Sequence, residues 1–413
     1  MNSKVKPFKI DVSDEVLKDL NNRLLATRWS NDLNNEDSFY GIKTEYLKDL
    51  VNHWTHIYDW KEQEKKLNAY DQFKVTIDEQ PIHFLHVKGK NKNSIPIILS
   101  HGWPWTYWHW SRIIQALTDP ESLGLKSEIT FDVVIPSLVG FGFSTPVKDG
   151  TMNFWKIADL WQKLMTEELG YKKYAAAGCD YGALVTNQLG HKYAESLIGI
   201  HLGKEMSLRI FQSERPWDLT EGHLVPESAS PELREGILNF QRTYASHVAV
   251  HMLDAQTITH GLNDSPAGML AWVLQRWMKW SDQSIKFEEV FSKDEVITFA
   301  MIFWLNQAIG SSIRSYANAA RYPWKPSHQR QPLIEAPAGF TFLNGDAFPP
   351  NATVENRIKI FENGTSSKQF NTVYAKSYPT GGHFGPWENP AAFIEGITET
   401  FSLLANKVSD FHR

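Results

Sequence analysis

Four short stretches of the chain carry residues able to do chemistry: HGWP at 101–104, GCDYG at 178–182, NGD at 344–346 and GGHFG at 381–385. Each follows a strand-like run, and the ends of strands are where α/β sheets place their sites. GCDYG reads as the end of a strand, a sharp turn and the start of a helix. Such an elbow normally holds up a serine in G-x-S-x-G, but the central residue here is Asp180. A carboxylate is already an anion at neutral pH, so it can attack an sp³ carbon bearing a leaving group without a base. The product of that attack is an ester on the protein, and breaking the ester requires activated water. His383 is predicted to supply the base, with Asp346 fixing its tautomer and stabilising the imidazolium. The chain order is then nucleophile, acid, histidine. Backbone N–H groups of Trp103 and Tyr181 are placed to form an oxyanion hole for the second step.

The elements that must hold these residues can be read from periodicity. FKVTIDEQPIHFLHVKG alternates around Asp78-Glu79-Gln80 and predicts a hairpin. SIPIILS (94–100), FDVVIPS (131–137), KYAAAGC and SLIGIHLG predict buried strands, with helices over 153–168 and over GALVTNQLGHKYAE. Strands alternating with helices predict a parallel, doubly wound sheet. From 205 to 330 the pattern is helical, and strand rhythm resumes with GFTFLNG (339–345) and NTVYAKSY (371–378) before a last helix over 390–406. A helical block between two strands of one sheet is a cap. The expected organisation is a core of 72–204 and 331–413, a cap of 205–330, and an N-terminal helical segment, 1–71, packing on the core. In that segment Ser13 should cap a helix with Asp14 and Glu15 in its first turn and Val16, Leu17, Leu20, Leu24 and Leu25 as its apolar positions.

Composition narrows the function classes. The chain has 413 residues, 42% hydrophobic and 22% charged, with a net charge of -5, so it lacks the basic footprint of a nucleic-acid binder. The first thirty residues contain neither a signal-like apolar core nor a run long enough to span a bilayer, which predicts a soluble, cytoplasmic protein without a transmembrane anchor. Cys179 is the single cysteine, so neither an internal disulfide framework nor a cysteine metal cluster is available. The 16 Trp and 23 Phe fit an apolar ligand pocket in addition to core mass.

Several longer stretches carry a family resemblance: PFKIDVSDEVLKDLNNRLLATRW, YDWKEQEKKLNAYDQF, HFLHVKG, HGWP, FDVVIPSLVGFGFS, GCDYGALV, GLNDSPAGMLAWV and GGHFGPWENP. As a set they resemble the microsomal-type epoxide hydrolases over nearly the whole chain. The resemblance implies an α/β-hydrolase fold with an N-terminal helical segment and an inserted cap. It implies epoxide opening by Asp180, ester hydrolysis by His383 with Asp346, and no metal or organic cofactor. The implied partners are a small apolar epoxide and water, with a homo-oligomer possible. Two cap tyrosines donate to the epoxide oxygen in that family. SSIRSY matches the context of one and nominates Tyr316; counting back from GLNDSP, the other falls on His247. An imidazole can donate there, although an ordinary histidine changes charge near neutral pH. Tyr244, a helical turn earlier, and His251, a turn later, are alternatives. The chain also departs from the family at Trp105, where glycine is usual, and at Cys179-Asp180-Tyr181, where Gly-Asp-Trp is common. These changes suggest a reshaped pocket, with His101, Trp105, Tyr244 and His251 as residues against substrate and Cys179 packing as a small apolar group.

Two rival readings stay open at this level. A dehalogenase of the same fold would use the same nucleophile and base but needs N–H donors for the halide, and Trp103, Trp105 and Trp108 are available. A ligand-binding protein of this fold would need no water-activating dyad.

Overall fold

A computed structural model describes residues 5–219, 228–346 and 352–405. Nine strands form one sheet in the order β1-β2-β3-β5-β4-β6-β7-β8-β9. They are β1 (Lys6–Phe8), β2 (Gln72–Ile77), β3 (Gln80–Val87), β4 (Ile95–Ser100), β5 (Phe131–Pro136), β6 (Tyr174–Gly178), β7 (Leu197–Leu202), β8 (Ile334–Leu343) and β9 (Phe370–Tyr378). The pairs β1–β2, β2–β3 and β3–β5 are antiparallel, and the rest are parallel. The continuous apolar runs lie where both faces are covered: every residue of β4, β5, β6 and β7 is buried.

The predicted hairpin is present, with a tighter turn than expected. Asp78 and Glu79 alone make it, both at positive φ (49° and 65°), and Gln80 already belongs to β3. Two left-handed residues give a turn whose twist matches that of the strands. β8 begins at Ile334 rather than at 339. Pro337 hides its first half from pattern reading, and the pairing with β9 shifts register there. The three-residue β1 was not predicted, being too short to show a period.

Ser13 caps the helix Asp14–Leu25, accepting from the Val16 N–H. Leu20 and Leu24 are buried as expected, but Val16 and Leu25 face solvent. The N-terminal segment contacts both the sheet and the helical block. β1 joins the core sheet, whereas the helix Thr44–His56 and the turn after it reach the cap. Tyr46 donates to Glu288 at 2.7 Å, His53 Nε2 lies 2.7 Å from Asp294, and the Tyr58 and Thr298 hydroxyls are 3.0 Å apart. The segment therefore straps cap to core.

The helical cap lies between β7 and β8 and includes the helices Ser246–Leu253, Pro266–Trp280, Lys293–Trp304 and Ala308–Arg321. The predicted last helix spans Pro390–Ala405, its expected end at 406 falling outside the described residues. Among the described residues no single helix is long and apolar enough to cross a membrane. Because β4, β6, β8 and β9 run parallel, their C-terminal ends deliver HGWP, GCDYG, NGD and GGHFG to one edge of the sheet, beneath the cap.

Candidate active site

The elbow is built by close approach. A Cβ on Gly182 would fall 2.1 Å from the Ser100 carbonyl oxygen, and one on Gly178 would fall 2.3 Å from the Gly182 carbonyl oxygen. Only glycine at both positions lets the helix Tyr181–Lys192 start against the ends of β4 and β6. Asp180, at the apex, has φ 51° and ψ -124°, a conformation that costs a non-glycine residue about 1–3 kcal/mol. HGWP meets it from the neighbouring strand. The Trp103 N–H donates to Asp180 Oδ1 at 2.7 Å, and a Cβ on Gly102 would fall 2.2 Å from the same oxygen. Of the two N–H groups expected in the oxyanion hole, that of Trp103 is thus already on the carboxylate. Tyr181 is the first residue of the following helix, where an N–H has no intrahelical acceptor.

His383 completes the set. Its Nδ1 lies 3.0 Å from Asp346 Oδ1, and its Nε2 lies 3.3 Å from Asp180 Oδ2, within ion-pair distance but not aligned as a hydrogen bond. Burial disfavours charge on the ring, yet the carboxylates of Asp346 and Asp180 outweigh it and raise the pKa to about 9. Burial likewise opposes the Asp346 carboxylate, but Lys204, His383 and Arg357 hold its pKa down to about 2.

The histidine loop is braced by the end of the cap helix Pro266–Trp280 and the turn after it. The His383 N–H donates to the Trp280 carbonyl at 2.9 Å, and the Gly381 N–H to Asp282 Oδ2 at 2.7 Å. Glu388 accepts from the N–H groups of Asp282 at 2.7 Å and Phe384 at 2.8 Å. Burial pushes its pKa up to about 7 against those two bonds. Sequence reasoning missed this brace. Glu388 stands visibly near His383 in GGHFGPWENP, but nothing in the sequence links it to Asp282.

A cavity of about 250 Å³ opens above Asp180, with Tyr181, Tyr316, His247, Tyr244, Trp280, Asp346 and His383 among its walls. Tyr316, on the helix Ala308–Arg321, is buried and lines the cavity from the cap side. Its ring lies 4.9 Å from that of Tyr181 and 5.6 Å from that of His247. His247 is buried and stacks on the Trp103 indole at 5.0 Å and 9°. Burial, helped by His251, Arg276 and His383, holds its pKa well below the ordinary value, so the ring is neutral rather than poised between two charge states. Tyr244 belongs to the histidine side of the cavity, 6.3 Å from the His383 ring and stacked at 5.7 Å on Trp280. Cys179 packs as expected: burial, with Asp346 and Asp180, keeps its thiol protonated.

Three expected substrate contacts are corrected. His101 is fully buried off the cavity, its Nδ1 donating to the Gly102 carbonyl at 2.9 Å and its Nε2 accepting from the Leu138 N–H at 3.0 Å. Its job is to fix the turn that holds Gly102 and Trp103. Trp105 is also fully buried and backs the catalytic loop, 5.9 Å from the His383 ring and 5.5 Å from that of Phe384. His251 lies behind the cavity wall, its Nε2 accepting from the Trp272 indole at 3.1 Å. Among the described residues, the halide donors expected of a dehalogenase do not reach the cavity. Trp103, Trp105 and Trp108 do not line the cavity, and the indole N–H of Trp280, which does, is already donated to the Thr243 carbonyl.

A mixed, largely parallel sheet, a cap and a carboxylate at the elbow define an α/β-hydrolase in which the usual serine is replaced by aspartate. Comparison with known proteins supports this and goes further. Residues 5–110 match the family described as the epoxide hydrolase N terminus, and 95–229 match the alpha/beta hydrolase fold. A Stigmatella aurantiaca protein whose name places it among the epoxide hydrolases is 33% identical over 406 residues, covering 98% of this chain and 86% of that one. Epoxide hydrolase 1 of Oryctolagus cuniculus is 28% identical over 426 residues, 97% of this chain and 89% of that one. The juvenile hormone epoxide hydrolase of Bombyx mori shares the fold, with a TM-score of 0.76 at 23% identity over 98% of this chain and 95% of that one. So does the epoxide hydrolase of Aspergillus niger, with a TM-score of 0.77 at 23% identity over 98% of this chain and 97% of that one. The chain belongs to the epoxide hydrolase family.

Proposed function

We propose that this enzyme converts a small apolar epoxide to a vicinal diol in two covalent steps. The observation that carries the reading is the set formed by Asp180, His383 and Asp346 beneath a mostly apolar cavity. Asp180 Oδ1 is held by the Trp103 N–H, which leaves Oδ2 to attack the epoxide carbon. The C–O bond of the ring breaks as the new ester bond forms, and the negative charge moves to the epoxide oxygen. The Tyr316 hydroxyl meets that oxygen from the cap, and neutral His247 adds one N–H beside it. The proton that His383 gives up passes through solvent to the epoxide oxygen, which becomes the hydroxyl of a hydroxy-ester; the neutral ring then takes a proton from water as the hydroxide adds to the Asp180 carbonyl carbon, and returns it to the oxygen that leaves on collapse. The oxyanion forms on Oδ1, where the Trp103 N–H already sits, with the Tyr181 N–H as its companion. Collapse releases the diol and restores the carboxylate.

The test is isotopic. In a single turnover in ¹⁸O-water, the diol should carry no label and Asp180 should acquire it, because water attacks the ester carbonyl. Label in the first-turnover diol would mean direct attack of water on the epoxide and would end the covalent reading.

A further inference from the structure

Arg276 is a buried cation without a counter-ion. It lies on the helix Pro266–Trp280, is 5% exposed, and has no carboxylate within ion-pair distance among the described residues. Its polar partners are neutral: Nη1 donates to the Trp272 carbonyl at 3.1 Å and to Gln275 Oε1 at 3.5 Å, and the guanidinium lies 4.0 Å from the centroid of the Trp272 ring. Burial lowers its pKa to about 10, so it remains charged at neutral pH. A buried, unpaired charge is among the more costly features a fold can keep. Packing alone gives no reason for it, since an apolar side chain would fill the space without that cost.

Its neighbours give the reason. The Trp272 indole N–H donates to His251 Nε2 at 3.1 Å, so a neutral His251 must carry its proton on Nδ1. The His251 ring lies 4.9 Å from that of Tyr316 and 4.9 Å from that of His247. The chain of contacts therefore runs from Arg276 through Trp272 and His251 to both groups that face Asp180 from the cap. The field of the cation opposes protonation of both histidines and favours negative charge at the Tyr316 hydroxyl. Ring opening moves a negative charge from Asp180 toward the cap. A cation fixed on the cap side interacts more strongly with the charge after that movement than before it, which is the condition for lowering a barrier.

We infer that Arg276, with Trp272 and His251, is a positioning array for ring opening: a fixed cation behind Tyr316 that favours transfer of charge from Asp180 to the epoxide oxygen. The inference rests on the role proposed above for Tyr316.

Single-turnover kinetics with styrene oxide test it by resolving alkylation of Asp180 from hydrolysis of the ester. Arg276→Met should slow alkylation by about tenfold or more and leave ester hydrolysis within about twofold of wild type. Arg276→Lys, which keeps a cation, should recover most of the loss. Trp272→Phe, which frees His251 from its indole donor, should slow alkylation alone. Wild-type alkylation in Arg276→Met, equal slowing of both steps, or no recovery with lysine would each overturn the array. Should Arg276→Met fail to fold, Trp272→Phe decides, and wild-type alkylation in that variant overturns the array. Tyr316→Phe separates this inference from the reading beneath it: if that variant alkylates normally, the ring-opening role itself is wrong.

Discussion

His383 Nε2 lies 3.3 Å from Asp180 Oδ2, so the base of the proposed second step is the ion-pair partner of the proposed nucleophile. The pairing has a timing consequence. Burial favours a neutral ring, but Asp346 and Asp180 together raise the His383 pKa to about 9. In the proposed mechanism, esterification removes the charge of Asp180, one of the groups that raise His383, and so favours release of the ring proton at the stage that needs a base.

Ester hydrolysis should therefore accelerate with rising pH and level off above an apparent pKa lower than about 9. Rapid-quench measurements of ester decay across that range check this. A flat profile from about pH 6 to pH 9 would show that His383 is not the titrating base.

The same shift has a sign for stability. A folded-state pKa of about 9, raised from 6.5, stabilises the fold fully below 6.5 and loses that contribution as pH rises through 9. The difference in Tm between wild type and His383→Leu should shrink over that interval. A difference that widens toward alkaline pH contradicts the raised pKa.

Gly102 makes a sharper prediction about geometry. A methyl group there would fall 2.2 Å from Asp180 Oδ1 and 2.4 Å from its Cβ, so Gly102→Ala must displace the nucleophile. We expect the variant to fold and to lose at least about a hundredfold in alkylation rate, as misplaced reacting groups do. Near-normal alkylation in folded Gly102→Ala would mean that Asp180 is not held where the structure has it.

Trp105 separates a packing role from a substrate role. It is fully buried against His109, Phe384 and His383, so Trp105→Ala should cost about 3–5 kcal/mol in denaturant unfolding. Among substrates of differing bulk, relative kcat/KM should hardly change. A large change in substrate ranking with little loss of stability would return Trp105 to the pocket wall.

The two roles open to His247 can be told apart by the step each affects. If the neutral ring of His247 donates during ring opening, His247→Phe should slow alkylation several-fold and spare ester hydrolysis. Equal slowing of both steps would instead assign His247 to holding the Trp103 indole on which it stacks.

Much of this site is legible in the sequence because its parts are local. GCDYG declares an elbow through two glycines at which an added Cβ would fall 2.1 and 2.3 Å from carbonyl oxygens, so no other residue type fits there. Asp346 and His383 stand at strand ends, and Tyr316 comes with its motif. What was misread depends on where a side chain points. His101 and Trp105 flank the nucleophile in sequence yet turn into the core, because the ring of His101 is used up by two backbone groups and Trp105 fills the space behind His383. What was missed depends on distant partners. Asp282 meets the Gly381 N–H across a sequence separation of 99, and Arg276 reaches the site only through the contact of Trp272 with His251 on another cap helix.

The central claim is a covalent ester on Asp180 that only His383 can clear. Intact-protein mass spectrometry of His383→Gln after brief exposure to excess styrene oxide tests it most directly. A stoichiometric adduct of the mass of the epoxide is expected, mapping to the peptide that contains Asp180 and persisting after substrate is removed. An unmodified protein, or a variant that turns over at the wild-type rate, would contradict it.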